Sequence, residues 1–192
     1  MNEQPFEARL EDRAAIADCL ARYARGVDRG DWDLVLSTYH PDAYDSHGDY
    51  RGGMDGFATW LDKRLSGVDN SMHLLGQCLI EFAAPDWAFV ETYFVSRRLV
   101  PPNESQRAGL PDGAAISREV AGRYVDQFER RQGQWRVLRR VVVVEASSQS
   151  VALGGVRSPE ARLTWGRRDR DDPSWTAREE VFARAGRDDP VN

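Results

Sequence analysis

The sequence has few cysteines and no recognisable metal-binding motif. Only Cys19 and Cys78 occur in 192 residues, and both lie in apolar patterns, which predicts buried free thiols in a reducing compartment rather than a disulfide. No Cys/His cluster has the spacing of a zinc site, and His40 and His47 do not form an H-E-x-x-H motif. We therefore expect neither a catalytic metal nor another cofactor.

Long apolar runs and concentrated positive charge are also missing. No run approaches the roughly 20 apolar residues of a membrane helix, and the polar start of the chain, residues 1–5, lacks the apolar segment of a secretory signal. The formal net charge is −5, and in residues 166–172 the arginines are balanced by aspartates. Because nucleic-acid binding requires clustered Lys and Arg, we expect a cytoplasmic protein without a membrane or nucleic-acid partner.

The first part of the chain has the periodicity of helices. Apolar residues recur at helical spacing over residues 9–27, in a stripe made of Ile16, Leu20, Tyr23 and Val27. Asp28 lies at the end of this predicted helix. Asp31 is suited to cap a second, short helix over residues 32–39, and a third is predicted over residues 54–65. The N-terminal part is therefore predicted to contain three helices.

The pattern then changes to that of strands. Runs rich in alternating, β-branched and aromatic residues predict strands over residues 43–46, 71–82, 87–99, 119–130 and 135–145. The last two are joined by residues 131–134, a Gly-containing turn that makes the clearest hairpin. Val141 to Val144 form an unbroken apolar run, which predicts that the last strand is buried on both faces.

Helices followed by an antiparallel meander predict an α+β fold. The three helices must cover one face of a curved sheet, and a bent sheet with helices over its mouth encloses a pocket for a small ligand. We assign this domain to residues 1–150. The polar tail, residues 151–192, contains two tryptophans and a predicted short helix over residues 176–184, so we expect it to pack on the domain or on a neighbouring subunit.

Four motifs, which occur in order over residues 8–150, carry a family resemblance. They are Ile16-x-x-Cys19-Leu20-x-x-Tyr23-x-x-Gly26-Val27-Asp28-x-Gly30-Asp31-Trp32, Tyr39-His40-Pro41-Asp42-Ala43, Met72-His73-Leu74-Leu75-Gly76 and Tyr124-x-x-x-Phe128-Glu129-Arg130-Arg131-x-Gly133-x-Trp135. Together they resemble the SnoaL-like cone family, the fold of nuclear transport factor and scytalone dehydratase. The resemblance implies a cone-shaped antiparallel sheet covered by three N-terminal helices. It does not fix the function, because the family includes enzymes and non-catalytic binders.

The resemblance also implies an acid/base pair. Asp28 aligns with the helix-end aspartate, and His73 with the catalytic histidine, of scytalone dehydratase, hexachlorocyclohexane dehydrochlorinase and bile-acid dehydratase. In those enzymes the aspartate orients the histidine, which removes a proton from carbon. Taken singly, Asp28 is a typical helix-end residue and His73 a typical core side chain, but together they predict an Asp28–His73 catalytic pair.

Tyr23 and Arg140 are further candidates for catalysis. Tyr23 precedes Asp28 by five residues, as a tyrosine does in the bile-acid dehydratases, and it either protonates a leaving hydroxyl or is a core aromatic. Arg140 lies in an apolar strand, where an arginine needs an anionic partner or an open pocket. It either binds a carboxylate or enolate-like oxygen, as the resemblance implies, or pairs with an acid at a sheet edge.

Other residues are expected around this pair. Strand phase and the resemblance predict that Tyr124, Tyr93 and Asp45 line the substrate pocket. His40 and His47 are interpreted as partly exposed structural histidines. Scytalone dehydratase uses a second histidine on a later strand and this sequence has none there, which favours an arrangement of one histidine with Asp, Tyr and Arg.

These residues predict a cofactor-independent lyase. We expect a dehydratase-type elimination on a hydrophobic, ring-containing small molecule such as a steroid or polyketide, with Asp28–His73 as general base. The alternatives are an isomerase or cyclase that uses the same base, and a non-catalytic small-molecule-binding protein. Because relatives use the open face of the sheet to form trimers or dimers, a homo-oligomer is expected.

Overall fold

The computed structural model describes residues 9–68, 70–152 and 163–186. Its helices are α1 (Leu10–Arg29), α2 (Trp32–Ser37), α3 (Phe57–Arg64), α4 (Glu104–Arg107) and α5 (Pro173–Arg184). Its strands are β1 (Tyr39–His47), β2 (Tyr50–Gly53), β3 (Asn70–Ala84), β4 (Trp87–Val100), β5 (Ala115–Arg131) and β6 (Gln134–Ala152). The expected irregular part of the tail, residues 153–162, lies outside the described residues.

The strands form one curved, unclosed sheet in the order β2-β1-β6-β5-β4-β3. Only the β1–β6 pair is parallel among these neighbours, and the others are antiparallel. Register shifts interrupt the β5–β6 pairing between Ala121 and Gly122 and again between Gln127 and Phe128. Such bulges bend a sheet and increase its twist, so the long strands can curl around the helices. The predicted α+β cone fold is confirmed.

Helix α1 packs its apolar stripe on the inside of this sheet. Ile16, Leu20, Tyr23 and Val27 are all buried in the core. The helix stops at Gly30, whose left-handed backbone (φ 67°) is the conformation that glycine adopts at helix C-termini. Asp31 then accepts a 3.1 Å hydrogen bond from the Leu34 amide and caps α2, as expected. This abrupt reversal holds the last turn of α1, with Asp28, against the sheet.

Three predictions of local structure were wrong. Helix α2 ends at Ser37 rather than at residue 39, because Tyr39 already pairs with Val137 as the first residue of β1. Cys78 is exposed, whereas Cys19 is buried as expected. Strand β6 is not buried on both faces along its apolar run, since Val144 is 57% exposed. Val144 lines a cavity together with Val142, so the inner face of the strand is itself accessible to solvent at this point.

The described part of the tail lies along α1. Arg29 Nη1 donates a 2.8 Å hydrogen bond to the carbonyl of Arg167. Arg168 donates to the carbonyls of Leu65 (3.1 Å) and Val27 (3.0 Å). Helix α5 follows, and its Trp175 is buried. Its bounds include the short helix predicted for residues 176–184, while the division of the chain at residue 150 stays a prediction. Within the described ranges, no helix has the length and apolarity needed to cross a membrane.

Candidate active site

Asp28 and His73 meet at the inner face of the sheet. The Nδ1 of His73 lies 2.7 Å from Oδ1 of Asp28, and the backbone amide of His73 donates a 2.7 Å hydrogen bond to Oδ2 of the same carboxylate. The hydroxyl of Ser71 donates to Oδ1 at 2.8 Å. The carboxylate is thus bound by three donors from one end of β3, and it fixes both the position and the orientation of the imidazole.

The surroundings of Asp28 favour its ionised form. Burial by itself raises the pKa of this carboxyl. Hydrogen bonds from the His73 ring, the His73 amide and Ser71, together with the charge of His73, lower the pKa by more than burial raises it. The net result is a pKa below the ordinary value. A carboxylate held on Nδ1 directs the neutral imidazole to carry its proton there, which leaves Nε2 free to accept one. Among the described residues, Nε2 of His73 has no hydrogen-bond partner in the fold.

His73 faces a cavity of about 230 Å³ between the helices and the sheet. The cavity is lined by Val27, Leu61, Leu65, Phe94, Val120 and Val142. Its polar lining includes His47, His73, Ser96 and Arg98. Apolar walls with a few convergent polar groups are the usual composition of a small-molecule site.

Two tyrosines form the inner wall next to His73. Tyr23 and Tyr124 both line the cavity, their rings lie edge to face at 5.6 Å, and Tyr124 stacks on Phe94 with 4.3 Å between centroids. Burial raises the pKa of both phenols, so they stay protonated and can donate hydrogen bonds. Tyr23 belongs to the core, as one interpretation of the sequence expects, and it also lines the pocket. Its role in protonating a leaving hydroxyl stays a prediction. Tyr124 has the expected position.

Arg140 lies behind these tyrosines and does not line the cavity. It is 0% exposed and makes a bidentate ion pair with Asp126, at 2.8 Å from Nε and 2.6 Å from Nη2. Its guanidinium lies over the rings of Tyr23 and Tyr124, at 4.3 and 4.2 Å from their centroids. Both interpretations of Arg140 need correction, because the side chain is neither placed to meet a substrate nor paired at a sheet edge. It is the centre of a buried ionic cluster.

The SnoaL-like domain model matches residues 8–141, more than half of the chain. The chain belongs to the SnoaL-like domain family. An uncharacterised protein of Mycobacterium tuberculosis is 29% identical over 140 residues, which make up 70% of this chain and 86% of that protein.

Two solved structures of hexachlorocyclohexane dehydrochlorinases have the same fold. LinA type 2 is 21% identical with a TM-score of 0.65, covering 79% of this chain and 97% of its own. LinA type 3 of Novosphingobium barchaimii is 21% identical with a TM-score of 0.62, covering 74% and 92%. The predicted membership of the SnoaL-like superfamily is confirmed.

Asp45 is buried next to this cluster rather than on the pocket surface. Its Oδ2 accepts a 2.8 Å hydrogen bond from the hydroxyl of Tyr39, while its Oδ1 has no hydrogen-bond partner among the described residues. Burial raises the pKa of this carboxyl to about 6, although Arg140 and Tyr39 act in the opposite direction. The prediction that Asp45 lines the pocket was therefore wrong in detail, since it stands one layer behind the cavity wall.

His47 is one of the pocket residues that sequence reasoning missed. Its ring lines the same cavity as His73, with Nδ1 3.7 Å from Oδ1 of Asp45. Burial, followed by the charge of Arg140, lowers its pKa to about 3, so the ring is neutral near pH 7. A signal for this position existed, because His47 continues the two-residue alternation of the buried Ala43 and Asp45 along β1.

Tyr93 and His40 also differ from expectation. Tyr93 is 48% exposed on the outer face of the sheet, because the neighbouring residues Phe94 and Ser96 are the ones that face the cavity. The prediction that Tyr93 lines the pocket of this SnoaL-like domain was wrong. His40 has a structural role as expected, but it is buried, and its Nε2 lies 2.9 Å from the carbonyl of Glu129.

Proposed function

We propose that this protein is a cofactor-independent lyase that uses His73, oriented by Asp28, as a general base. The substrate class proposed is a hydrophobic, ring-containing small molecule such as a steroid or polyketide. One observation carries the proposal. A histidine with a carboxylate at 2.7 Å on Nδ1 presents its other ring nitrogen in the wall of an apolar cavity. This is the arrangement of a base prepared to remove a proton from a bound molecule.

The reaction proposed is the elimination of water. His73 Nε2 takes the proton from a carbon next to an activating carbonyl, and the electrons of that C–H bond form the new double bond. The C–O bond on the neighbouring carbon breaks with its electron pair on oxygen. The departing hydroxide takes up the proton that His73 gained, so it leaves as water and the neutral imidazole is restored. Asp28 stabilises the intermediate imidazolium through its negative charge.

The negative charge that develops on the carbonyl oxygen needs donors. Arg140 is already bound by Asp126 and lies behind the wall, so the role falls to donors that line the cavity, and we assign it to the phenols of Tyr23 and Tyr124. Both remain protonated because burial raises their pKa. A preorganised donor in a water-poor site stabilises an oxyanion more strongly than it does in water.

The same base supports a second reaction, isomerisation or cyclisation. If the substrate carries no leaving group, the proton taken by His73 returns to a different carbon and the double bond moves. The names of the structural relatives, which are dehydrochlorinases, favour elimination for this chain. A non-catalytic binding role is the third possibility, and the close contact between Asp28 and His73 argues against it.

The decisive experiment compares wild-type protein with His73→Ala on a panel of hydroxylated ring ketones. Elimination is followed by the ultraviolet absorbance of the conjugated product and by the loss of water in mass spectrometry. We expect wild-type turnover and none with His73→Ala, while circular dichroism shows both proteins folded. A shift of the double bond without loss of water would support the isomerase. Full activity of His73→Ala would refute the base.

We also propose that the protein forms a homo-oligomer, a trimer or a dimer, through the outer face of β3 and β4. Leu74 is 64% exposed there and pairs with Val95 across the two strands, with Met72 and Tyr93 also exposed nearby. Contiguous exposed apolar side chains mark interaction surfaces. Light scattering of wild-type protein and Leu74→Lys tests this, and a monomeric wild type would rule it out. The cytoplasmic location and the lack of a nucleic-acid partner stay predictions from composition.

A further inference from the structure

One positively charged residue in the pocket wall, Arg98, has no role in the proposed reaction. Arg98 lies on β4 two residues beyond Ser96, and all three of His73, Ser96 and Arg98 line the cavity. His73 is the cross-strand partner of Ser96, and Ser71, which binds Asp28, is the partner of Arg98. Arg98 is thus one register step from the Asp28–His73 pair, on the same face of the sheet.

The fold does not neutralise this arginine. Among the described residues, Arg98 makes no ion pair or hydrogen bond with an acid. It is half-buried, and its pKa is lowered first by burial and then by the positive charges of Arg64 and Arg118. The contrast with Arg140 is direct, because that arginine also comes from the inner face of the sheet but is satisfied by Asp126.

Two neighbouring arginines add to the unbalanced positive charge around Arg98. Arg118 is directly opposite Arg98 in the β4–β5 pairing, so the two side chains are on one face. Arg118 is exposed and lies beyond the residues that line the cavity. Like charges placed opposite each other destabilise a sheet. Arg64 also lines the cavity, but its charge is already offset by Asp49 at 2.9 Å. An anion between Arg98 and Arg118 would relieve the repulsion and satisfy both groups.

We propose that Arg98, with Arg118 opposite it, is an anion-binding subsite of the pocket, and that the ligand is an amphipathic carboxylic acid. Its carboxylate would bind Arg98, and its apolar ring body would contact Phe94 and Val120 in the cavity. Guanidinium groups bind carboxylates through two parallel hydrogen bonds, which fixes the ligand's orientation as well as its charge. The claim that this acid is the substrate rests on the proposed function. The claim that the pocket binds a carboxylic acid does not.

The test uses two probes that differ only in charge, naphthoate and naphthamide. Calorimetric titration gives their affinities for wild-type protein, Arg98→Met and Arg97→Met. Arg97 is the matched control, because it is the next residue in β4 and points to the opposite face. We expect wild-type protein and Arg97→Met to prefer naphthoate by roughly ten- to a hundredfold, the size of a charge-assisted hydrogen bond, and Arg98→Met to lose that preference.

Three results would overturn the inference: equal affinity of wild-type protein for both probes, a preference that survives in Arg98→Met, or no binding of either probe at millimolar concentration. The same titration with His73→Ala separates this inference from the proposed reaction. If the Arg98-dependent preference persists in His73→Ala but wild-type protein turns over no ring ketone or ring acid, the subsite stands and the lyase fails. If neutral ketones react without any preference for acids, the lyase stands and the subsite fails.

Discussion

The carboxylate of Asp28 is bound to both the ring and the backbone amide of His73, each at 2.7 Å. The two contacts use different oxygens, so neither the carboxylate nor the imidazole can turn without breaking one of them. One residue at the end of a helix thereby fixes the rotamer and the tautomer of a residue on the first long strand. The hydroxyl of Ser71, which donates to Oδ1 at 2.8 Å, holds the carboxylate in the same position.

Replacing Asp28 by Asn tests the orientation of His73. The amide has nearly the same shape, but it lacks the negative charge and one acceptor, so it no longer favours a protonated Nδ1 or stabilises the imidazolium. We expect kcat to fall by on the order of 10²–10⁴ while the substrate affinity changes little. Steady-state kinetics measures both. Asp18→Asn, on the exposed side of the same helix, is the matched control, and equal kinetics of the two variants would remove Asp28 from the mechanism.

The Asp28–His73 pair could be predicted because the family resemblance aligns both residues with an acid/base pair, and because both lie at recognisable places. Asp28 ends a clear amphipathic helix, and His73 begins an alternating strand, so no detailed register was needed to identify them. The four motifs fixed their order in the fold. Local pattern places a residue whose position depends only on the element that carries it, but the pairing itself was implied by the resemblance.

The local pattern does not contain the information needed to place Arg140, Tyr93 and Arg98. The partner of Arg140 is Asp126 on the neighbouring strand, and a bulge beside Gln127 alters the register between them, so the ion pair could not be derived from either strand alone. Tyr93 was assigned to the wrong face of β4, since a shift of one residue exchanges the two faces of a strand. The same error concealed Arg98, which shares the alternation of Phe94 and Ser96.

The stability of the protein should fall as Asp45 ionises. Its folded-state pKa of about 6 lies above the ordinary 3.8, so the folded state binds a proton more tightly than the unfolded state. By linkage, the free energy of unfolding decreases as pH rises from about 4 to about 6, by roughly 3 kcal/mol if the whole shift is expressed. Urea unfolding at a series of pH values should show this decrease in wild-type protein and not in Asp45→Asn.

Asp28 serves as the control for that experiment, because its pKa is shifted in the opposite direction. The pKa of Asp28 is lowered in the folded protein, so its contribution to stability is present above the unfolded value and is lost as pH falls through the folded value. Asp28→Asn should therefore leave the decrease between pH about 4 and about 6 in place. If Asp45→Asn shows the same pH profile as wild-type protein, Asp45 is already ionised at acidic pH and the inference about its burial is wrong.

The buried Arg140–Asp126 pair should behave as a structural unit. Arg140→Met leaves Asp126 charged, buried and without its partner, and we expect a loss of about 3–5 kcal/mol in the free energy of unfolding. The double variant Arg140→Met/Asp126→Leu removes both charges and should recover most of this loss. Urea denaturation of the four proteins in this cycle measures the coupling. A folded double variant that has lost all turnover would instead show that Arg140 acts on the substrate.

Arg168 joins the tail to the helices around the pocket. Its guanidinium binds the carbonyl of Val27 in the last turn of α1 and that of Leu65 just after α3, and the side chains of both residues line the cavity. Carbonyls at helix C-termini lack partners within the helix, so a cation that binds two of them stabilises both ends. We expect Arg168→Met to lower the free energy of unfolding by about 2–3 kcal/mol and to raise KM more than it lowers kcat, because the pocket wall loosens while Asp28–His73 stays intact.

Arg170→Met is the matched control for this prediction. Arg170 lies in the same part of the tail, but its guanidinium is placed over the ring of Trp175, 3.9 Å from the centroid, where the interaction is worth about 1 kcal/mol. Thermal unfolding and the ratio of kcat to KM should therefore change little in Arg170→Met and clearly in Arg168→Met. If the two variants behave alike, the tail stabilises the protein in general and does not act on the pocket through the two helix ends. If only Arg168→Met raises KM, the tail is part of the structure that shapes the site, and removing it should weaken ligand binding while leaving the hydrogen bonds of Asp28 to His73 in place.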